Sequence, residues 1–168
     1  DKNLSQELQK IEYVPNDIFH FGFKKSEVKN QAQGFGVLTK PSDNKSYLGI
    51  LFNSRIFPHT APEGQELFTV IVGGSRQPKL CQLESPELEA KVLAEVQELL
   101  ECQEKPTLSN QFKYKKGIPQ YSLDQEKLNQ AIQQFEKEHS HFHILGNYTN
   151  GISVSDCILK SHDLIKNF

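Results

Sequence analysis

No methionine occurs anywhere in the 168 residues, position 1 included, and there is no tryptophan. A chain without an initiating methionine is expected to be a portion of a longer product. Cysteine is scarce as well: Cys81, Cys102 and Cys157 form no close pair and no Cys-x-x-Cys motif. An odd count without a framework argues against disulfides and suits a reducing compartment, with each thiol acting as a small buried hydrophobe. Charge of neither sign dominates, since 19 basic and 21 acidic residues leave a net charge of −2. Without a basic stripe, nucleic acid is not expected as a partner. No apolar run approaches the roughly 20 residues of a spanning helix. Residues 1–10 are polar, unlike a signal peptide. Also missing is a Gly-x-Gly-x-x-Gly turn entering a helix with a later acidic ribose ligand, which a dinucleotide-binding half requires. The length suits one domain of ordinary size. A hydrophobic fraction of 36% fits a piece whose packing partner lies elsewhere.

What is present reads as α+β. Leu4, Leu8 and Ile11 share one face of a short helix over residues 3–11. Phe19, Phe21 and Phe23 alternate in a strand over 18–23. Strands are expected at 35–39 and 46–52, joined by a hairpin-type turn over 40–45, and again at 67–72 before Gly73-Gly74. Sequential antiparallel neighbours are the most economical arrangement. The clearest helix spans 86–101, with Ser85 as N-cap, Pro86 at the first position and Leu88, Val92, Leu93, Val96, Leu99 and Leu100 as its apolar face. A strand over 107–114 follows. A second helix spans 123–138, with Ser122 and Gln125 spaced as a capping box and Leu128, Ala131, Ile132 and Phe135 inward. A short strand at 142–145 and a helix over 156–167 complete the chain. The expected architecture is a mostly antiparallel or mixed sheet with packed helices.

The stretch between those last two elements, Gly146-Asn147-Tyr148-Thr149-Asn150-Gly151-Ile152-Ser153-Val154-Ser155-Asp156-Cys157-Ile158, carries the most chemical information. A strand, a glycine-punctuated loop and a helix entrance aim backbone N–H groups and the positive end of a helix dipole at one spot. An anion or an electron-rich ring edge suits that spot. The same glycines also suit an ordinary connection with left-handed residues.

This segment resembles the C-terminal flavin-contacting segment of the protoporphyrinogen oxidases, oxygen-dependent FAD enzymes of haem synthesis. Gly146, Gly151, Val154, Asp156, Cys157 and Ile158 match, and Ile152 is a conservative replacement. Further segments agree in the family's order: Gly34-Phe35-Gly36, the run from Leu48-Gly49 through Phe57-Pro58 to Ala61-Pro62-Glu63-Gly64, Gly73-Gly74, and Pro119-Gln120-Tyr121. The similarity covers the chain from about Gly34 to its end.

The resemblance implies the C-terminal portion of an FAD oxidase fold. Residues 1–113 would belong to a substrate-binding domain and residues 114–168 to the FAD-binding domain. The N-terminal dinucleotide-binding half would be supplied by the missing part of the same protein. The implied reaction takes protoporphyrinogen IX to protoporphyrin IX in three two-electron steps, with hydride passed to the flavin and oxygen reoxidising it to hydrogen peroxide. Such chemistry needs an oriented cofactor more than a protein acid, so no catalytic residue is singled out. The backbone at Gly151, Ile152, Ser153 and Val154 would meet the pyrimidine edge of the flavin and stabilise the charge that builds there on reduction. Tyr114 stands where the family commonly has a tryptophan near the flavin, and offers either a flat amphipathic surface or cross-strand packing. Gly49 marks a bulge or the close approach of a flat ligand, and Val70 a wall of the porphyrinogen pocket. Gln120 is expected to bond backbone, and Arg55 and Arg76 to lie on the surface. The implied location is the cytoplasm, with peripheral contact to a membrane surface. Other readings left open are another flavin amine-oxidase-like enzyme, of the phytoene desaturase or amine oxidase type, and a non-catalytic protein-binding domain.

His139, His141 and His143 would share one face of a strand. Imidazoles so placed can bind zinc, but no acidic or cysteine ligand closes the set. A solvated terminus is expected, with no metal. His59, in its Phe-Pro-His turn, is expected to be structural.

Overall fold

The computed structural model describes residues 1–166. It resolves into two compact units, Val14–Gly117 on the one hand and Asp1–Tyr13 with Ile118–Phe168 on the other.

The first unit is built on a five-stranded sheet. In chain order its strands are β1 (Tyr13–Lys24), β2 (Gly36–Leu38), β3 (Gly49–Leu51), β4 (Gln65–Gly73) and β5 (Leu108–Pro119), and in space they lie β2-β3-β4-β1-β5. The expectation of sequential neighbours is corrected here, because β1 pairs with β4 rather than β2. Nine residue pairs join them, from Asn16↔Gly73 to Lys24↔Gln65, whereas β2 offers only three residues. The long pairing brings Phe19, Phe21 and Phe23 beside Phe68, Val70 and Val72 on one face, all fully buried. β3 is shorter than expected. Ser46 leaves the ladder to bond the Glu95 carboxylate through both its N–H (2.7 Å) and its hydroxyl (2.8 Å). The 40–45 turn forms as expected, with Asn44 in the left-handed region at φ 50°.

Helix α3 (Ser85–Leu100) covers that aromatic face with Leu88, Val92, Val96 and Leu100, each four residues from the last. Burying a side chain of this size contributes about 1.5–3 kcal/mol, so this layer dominates the unit's stability. Ser85 is not its cap: Glu84 holds the cap position without a side-chain bond, and the Ser85 hydroxyl accepts from Lys113 Nζ at 3.4 Å. A short helix α2 (Asn53–Ile56) carries Arg55, whose side chain is only 12% exposed, correcting the surface assignment. Its guanidinium donates to Glu66 (2.7 and 3.0 Å) and to the carbonyls of Asn30 and Ala32 (2.8 Å each). It also lies over the rings of Phe52 and Phe68. Arg76 is exposed as expected, donating to the Thr39 carbonyl.

In the second unit, α1 (Lys2–Gln9), capped by the Asp1 carboxylate on Leu4 N–H (2.7 Å), packs Leu4 and Leu8 on α4 (Gln125–Glu138), and Ile11, just past the helix end, joins them. Leu128, Ala131 and Ile132 supply the other half of that small core. The capping box at Ser122 does not form. The N-cap is Asp124, and Gln125 instead donates to the Tyr148 carbonyl at 2.9 Å. The last helix, α5 (Val154–Lys166), starts two residues earlier than expected. The expected end at Asn167 lies outside the described residues.

Residues 142–145 form no strand, because no neighbouring strand in this unit's described residues satisfies their backbone. Ile144 N–H turns to the Glu136 carboxylate at 2.8 Å instead. The three histidines therefore do not share a strand face. His139 ends α4, with its ring stacked on Phe135 at 4.3 Å. Of the cysteines, all free, only Cys102 is fully buried; Cys81 and Cys157 are half-buried. Among the described residues, no helix is long and apolar enough to cross a membrane.

Candidate functional site

Two surfaces deserve chemical attention, one in each unit. The first is the loop entering α5. Gly151 has φ 127°, a conformation side chains rarely adopt, and a Cβ there would lie 2.6 Å from Asp156 Cγ. Asp156 is held in place by Ser153. The Ser153 N–H donates to Asp156 Oδ2 (3.0 Å), its hydroxyl bonds the same oxygen (2.7 Å), and Asp156 N–H returns to the hydroxyl (3.0 Å). This reciprocal cap satisfies two of the donors that a helix start leaves open. Those bonds hold the Asp156 carboxyl below the usual carboxylate range, with Lys160 adding to the effect.

Of the backbone donors expected to face a ligand, that of Ser153 is thus already committed. The remaining candidates are Ile152 and Val154, both exposed. Beside them Asn147, Ile152, Val154, Cys157, Ile158 and Ser161 line a shallow, largely apolar depression.

Two residues shape this loop: Lys160, which no motif marks, and Tyr121, which belongs to the Pro119-Gln120-Tyr121 signature without a role assigned to it. Tyr121 bridges it: its hydroxyl accepts from Gly151 N–H (3.0 Å) and donates to the Asn147 carbonyl (3.1 Å). Lys160 gathers it from behind, its ammonium donating to the carbonyls of Gly146 (2.7 Å), Gly151 (3.2 Å) and Thr149. Neither role has a local sequence signature, because each contact spans nine residues or more. Gln120 bonds backbone as expected, donating to the Ile118 carbonyl at 3.2 Å.

The second surface is the sheet face opposite α3. Cross-strand partners present their side chains on the same side. Ile18↔Ile71, His20↔Thr69, Gly49↔Ile71 and Leu51↔Thr69 therefore share it. Phe112 joins them, its ring edge-on to His20 at 5.7 Å. Tyr114, two residues further along β5, faces the same way. Leu38, Leu51, Phe112 and Tyr114 are exposed there. His20 Nδ1 bonds the Thr69 hydroxyl at 2.9 Å, and burial lowers the pKa of its imidazole.

The structure thus places Gly49 and Tyr114 on one face, and Val70 on the other. Val70 is wholly buried against α3 and presents no open wall. A Cβ on Gly49 would meet Leu38 Cδ2 and the Val37 carbonyl at 2.8 Å, so the neighbouring strand fixes this glycine. Gly151 to Val154 lie in the other unit. Among the described residues, no group of three or more His, Cys, Asp or Glu is arranged to hold a metal ion.

The profile of the family described as flavin containing amine oxidoreductase matches residues 2–161. The chain belongs to that family. Its relatives within the flavin amine oxidoreductases include protoporphyrinogen oxidase 2 of Arabidopsis thaliana, 32% identical over 164 residues, covering 94% of this chain and 32% of the relative. The protoporphyrinogen oxidase of Homo sapiens is 31% identical over 133 residues, covering 75% and 28%. This chain spans about a third of the length of such relatives. In three dimensions it superposes on a crystal structure from Exiguobacterium sp. 255-15, provisionally called a protoporphyrinogen oxidase, with a TM-score of 0.76 at 15% identity, over 96% of this chain and 36% of the other. Reduced UDP-galactopyranose mutase aligns at 0.61 and 13% identity, over 85% and 30%. At those identities the structures establish the fold, which is the partial flavin amine oxidoreductase fold expected from sequence.

FAD is the cofactor of this family. The α5 entrance fits the ring end of such a group. It sets two exposed residues, Ile152 and Val154, beside an apolar surface for a flat ring, with the Asp156 carboxylate engaged by the N–H and hydroxyl of Ser153.

Proposed function

We propose that this chain is the C-terminal part of an FAD-dependent oxidase that converts protoporphyrinogen IX to protoporphyrin IX with oxygen. The observation that carries the proposal is the run of relatives. Proteins named protoporphyrinogen oxidase from plants, a slime mould, a yeast and human align over three quarters or more of this chain. The two surfaces suit the parts required. Ile152 and Val154 N–H would meet the flavin's pyrimidine edge, with Gly151 letting the backbone approach. The sheet face carrying Ile18, His20, Leu51, Ile71, Phe112 and Tyr114, mostly apolar and partly exposed, would take the flat tetrapyrrole. The Nε2 edge of the His20 ring, whose Nδ1 is taken by Thr69, is the polar group it would offer a pyrrole.

In this reading Val14–Gly117 serves the substrate and the C-terminal segment serves the cofactor. The remaining FAD contacts come from the N-terminal part of the same protein. The enzyme works in the cytoplasm with peripheral membrane contact. FAD supplies hydride acceptance when bound; this chain's residues orient it and wall off the substrate. The test is flavin content and porphyrinogen oxidation of the full-length protein. A yellow protein that turns colourless protoporphyrinogen fluorescent supports the proposal. A folded, colourless, inactive protein overturns it. The isolated chain should be inactive, and turnover by it alone would refute the division of labour.

A further inference from the structure

Lys160 has a stronger geometric role than its place on a surface helix suggests. Its ammonium holds the carbonyls of Gly146, Thr149 and Gly151 together. Every described peptide bond in the chain is trans. In a trans peptide the C=O and the following N–H point in opposite directions. Carbonyls drawn inward onto Lys160 therefore turn the next N–H groups, those of Asn147, Asn150 and Ile152, outward. The third of these is the donor nominated for the flavin edge. Tyr121, pulling Gly151 N–H to its own hydroxyl, fixes the preceding peptide as well.

We infer that Lys160 is a positioning residue, which sets the outward direction of the Ile152 N–H and so presents it to the flavin's pyrimidine edge. The inference rests on the flavin reading above. A flexible loop would have to order this donor on binding and would give up much of its electrostatic benefit. Lys160 settles that orientation beforehand.

The test compares Lys160→Met with Lys160→Arg, since arginine can still donate to inward carbonyls. Order parameters of the 146–152 amides, measured on the chain itself, should stay near the rigid value in wild type and fall in the methionine variant. In the full-length protein, Lys160→Met should weaken binding of reduced relative to oxidised FAD about tenfold. For a two-electron couple that is a drop of about 30 mV in midpoint potential. Lys160→Arg should recover most of it. A looser loop with an unchanged potential would make Lys160 purely structural and overturn the inference, as would no change in either quantity. A full-length wild-type protein that holds no FAD would instead defeat the flavin reading, and the inference with it.

Discussion

Replacing Gly151 by alanine should disable the α5 entrance while sparing the rest of the chain. Two costs combine. The first is conformational: φ is 127° at this residue, and holding a side chain in so sparsely populated a region costs about 1–3 kcal/mol. The second is steric. The new Cβ would sit 2.6 Å from Asp156 Cγ, 2.7 Å from its Cβ and 2.8 Å from its Oδ2. Relief requires the carboxylate to move, and that carboxylate is the partner of Ser153 N–H and hydroxyl. Losing an N-terminal cap costs about 0.5–2 kcal/mol. Together the local loss is about 2–4 kcal/mol, after allowing for overlap between the two. Amide exchange in the first turn of α5 reads it directly. An Asp156→Ala background removes two of the three close contacts, so Gly151→Ala should cost less there. The shortfall would be about 1 kcal/mol, the size of the lost cap. If Gly151→Ala leaves α5 protection unchanged, neither the strain nor the contact with Asp156 constrains this glycine, and the reasoning fails.

Three other perturbations test separate parts of the structure. Arg55→Ala should cost about 3–5 kcal/mol in urea unfolding, because it strands the buried Glu66 carboxylate; a loss under about 0.5 kcal/mol would return Arg55 to the surface. Glu101 closes α3 in the left-handed region at φ 49°, so Glu101→Gly should stabilise by about 0.5–1 kcal/mol in the same assay, and a loss would contradict the cap. The Asp156 carboxyl is held low in the folded state, so its stabilising contribution is complete above the unfolded value of about 3.9 and fades as pH falls through the lower folded value. The Ser153 amide resonance should therefore titrate with a midpoint below about 3.9, and should stop doing so in Asp156→Asn; a midpoint at or above that value would refute the cap's electrostatics.

Periodicity revealed the elements whose side chains repeat against a partner surface. The aromatic alternation of Phe19, Phe21 and Phe23 identified β1, and the four-residue spacing from Leu88 to Leu100 identified α3. It failed where a strand or cap depends on a distant group. Ser46 reads as strand until Glu95 is seen to claim it, and residues 142–145 read as strand until the neighbour they would need is seen to be missing among the described residues. Arg55 reads as surface because nothing near it in sequence reveals Glu66 or the two phenylalanine rings. Strand order failed for a related reason. Length of matched pairing outweighed sequence proximity, so β1 crosses to β4.

The same division explains what could be read of the site. Gly151 was legible because a backbone requirement is carried by the residue itself. Val70 was assigned as a pocket wall through the family resemblance, which does not say which face of the strand a helix covers; α3 takes the face of Phe68, Val70 and Val72. Any ligand on the sheet must therefore use the complementary register of Thr69 and Ile71, which brings His20 into reach although no motif marks it. The α5 entrance follows the same logic at shorter range. Its glycine is local, but the direction of its donors is decided by Tyr121 and Lys160, from before and after the loop. Transplanting the Gly146–Ile158 segment alone would therefore carry the glycines and the Ser153 cap and lose the orientation, which makes Lys160 and Tyr121 as much a part of the candidate site as the residues that would touch the cofactor.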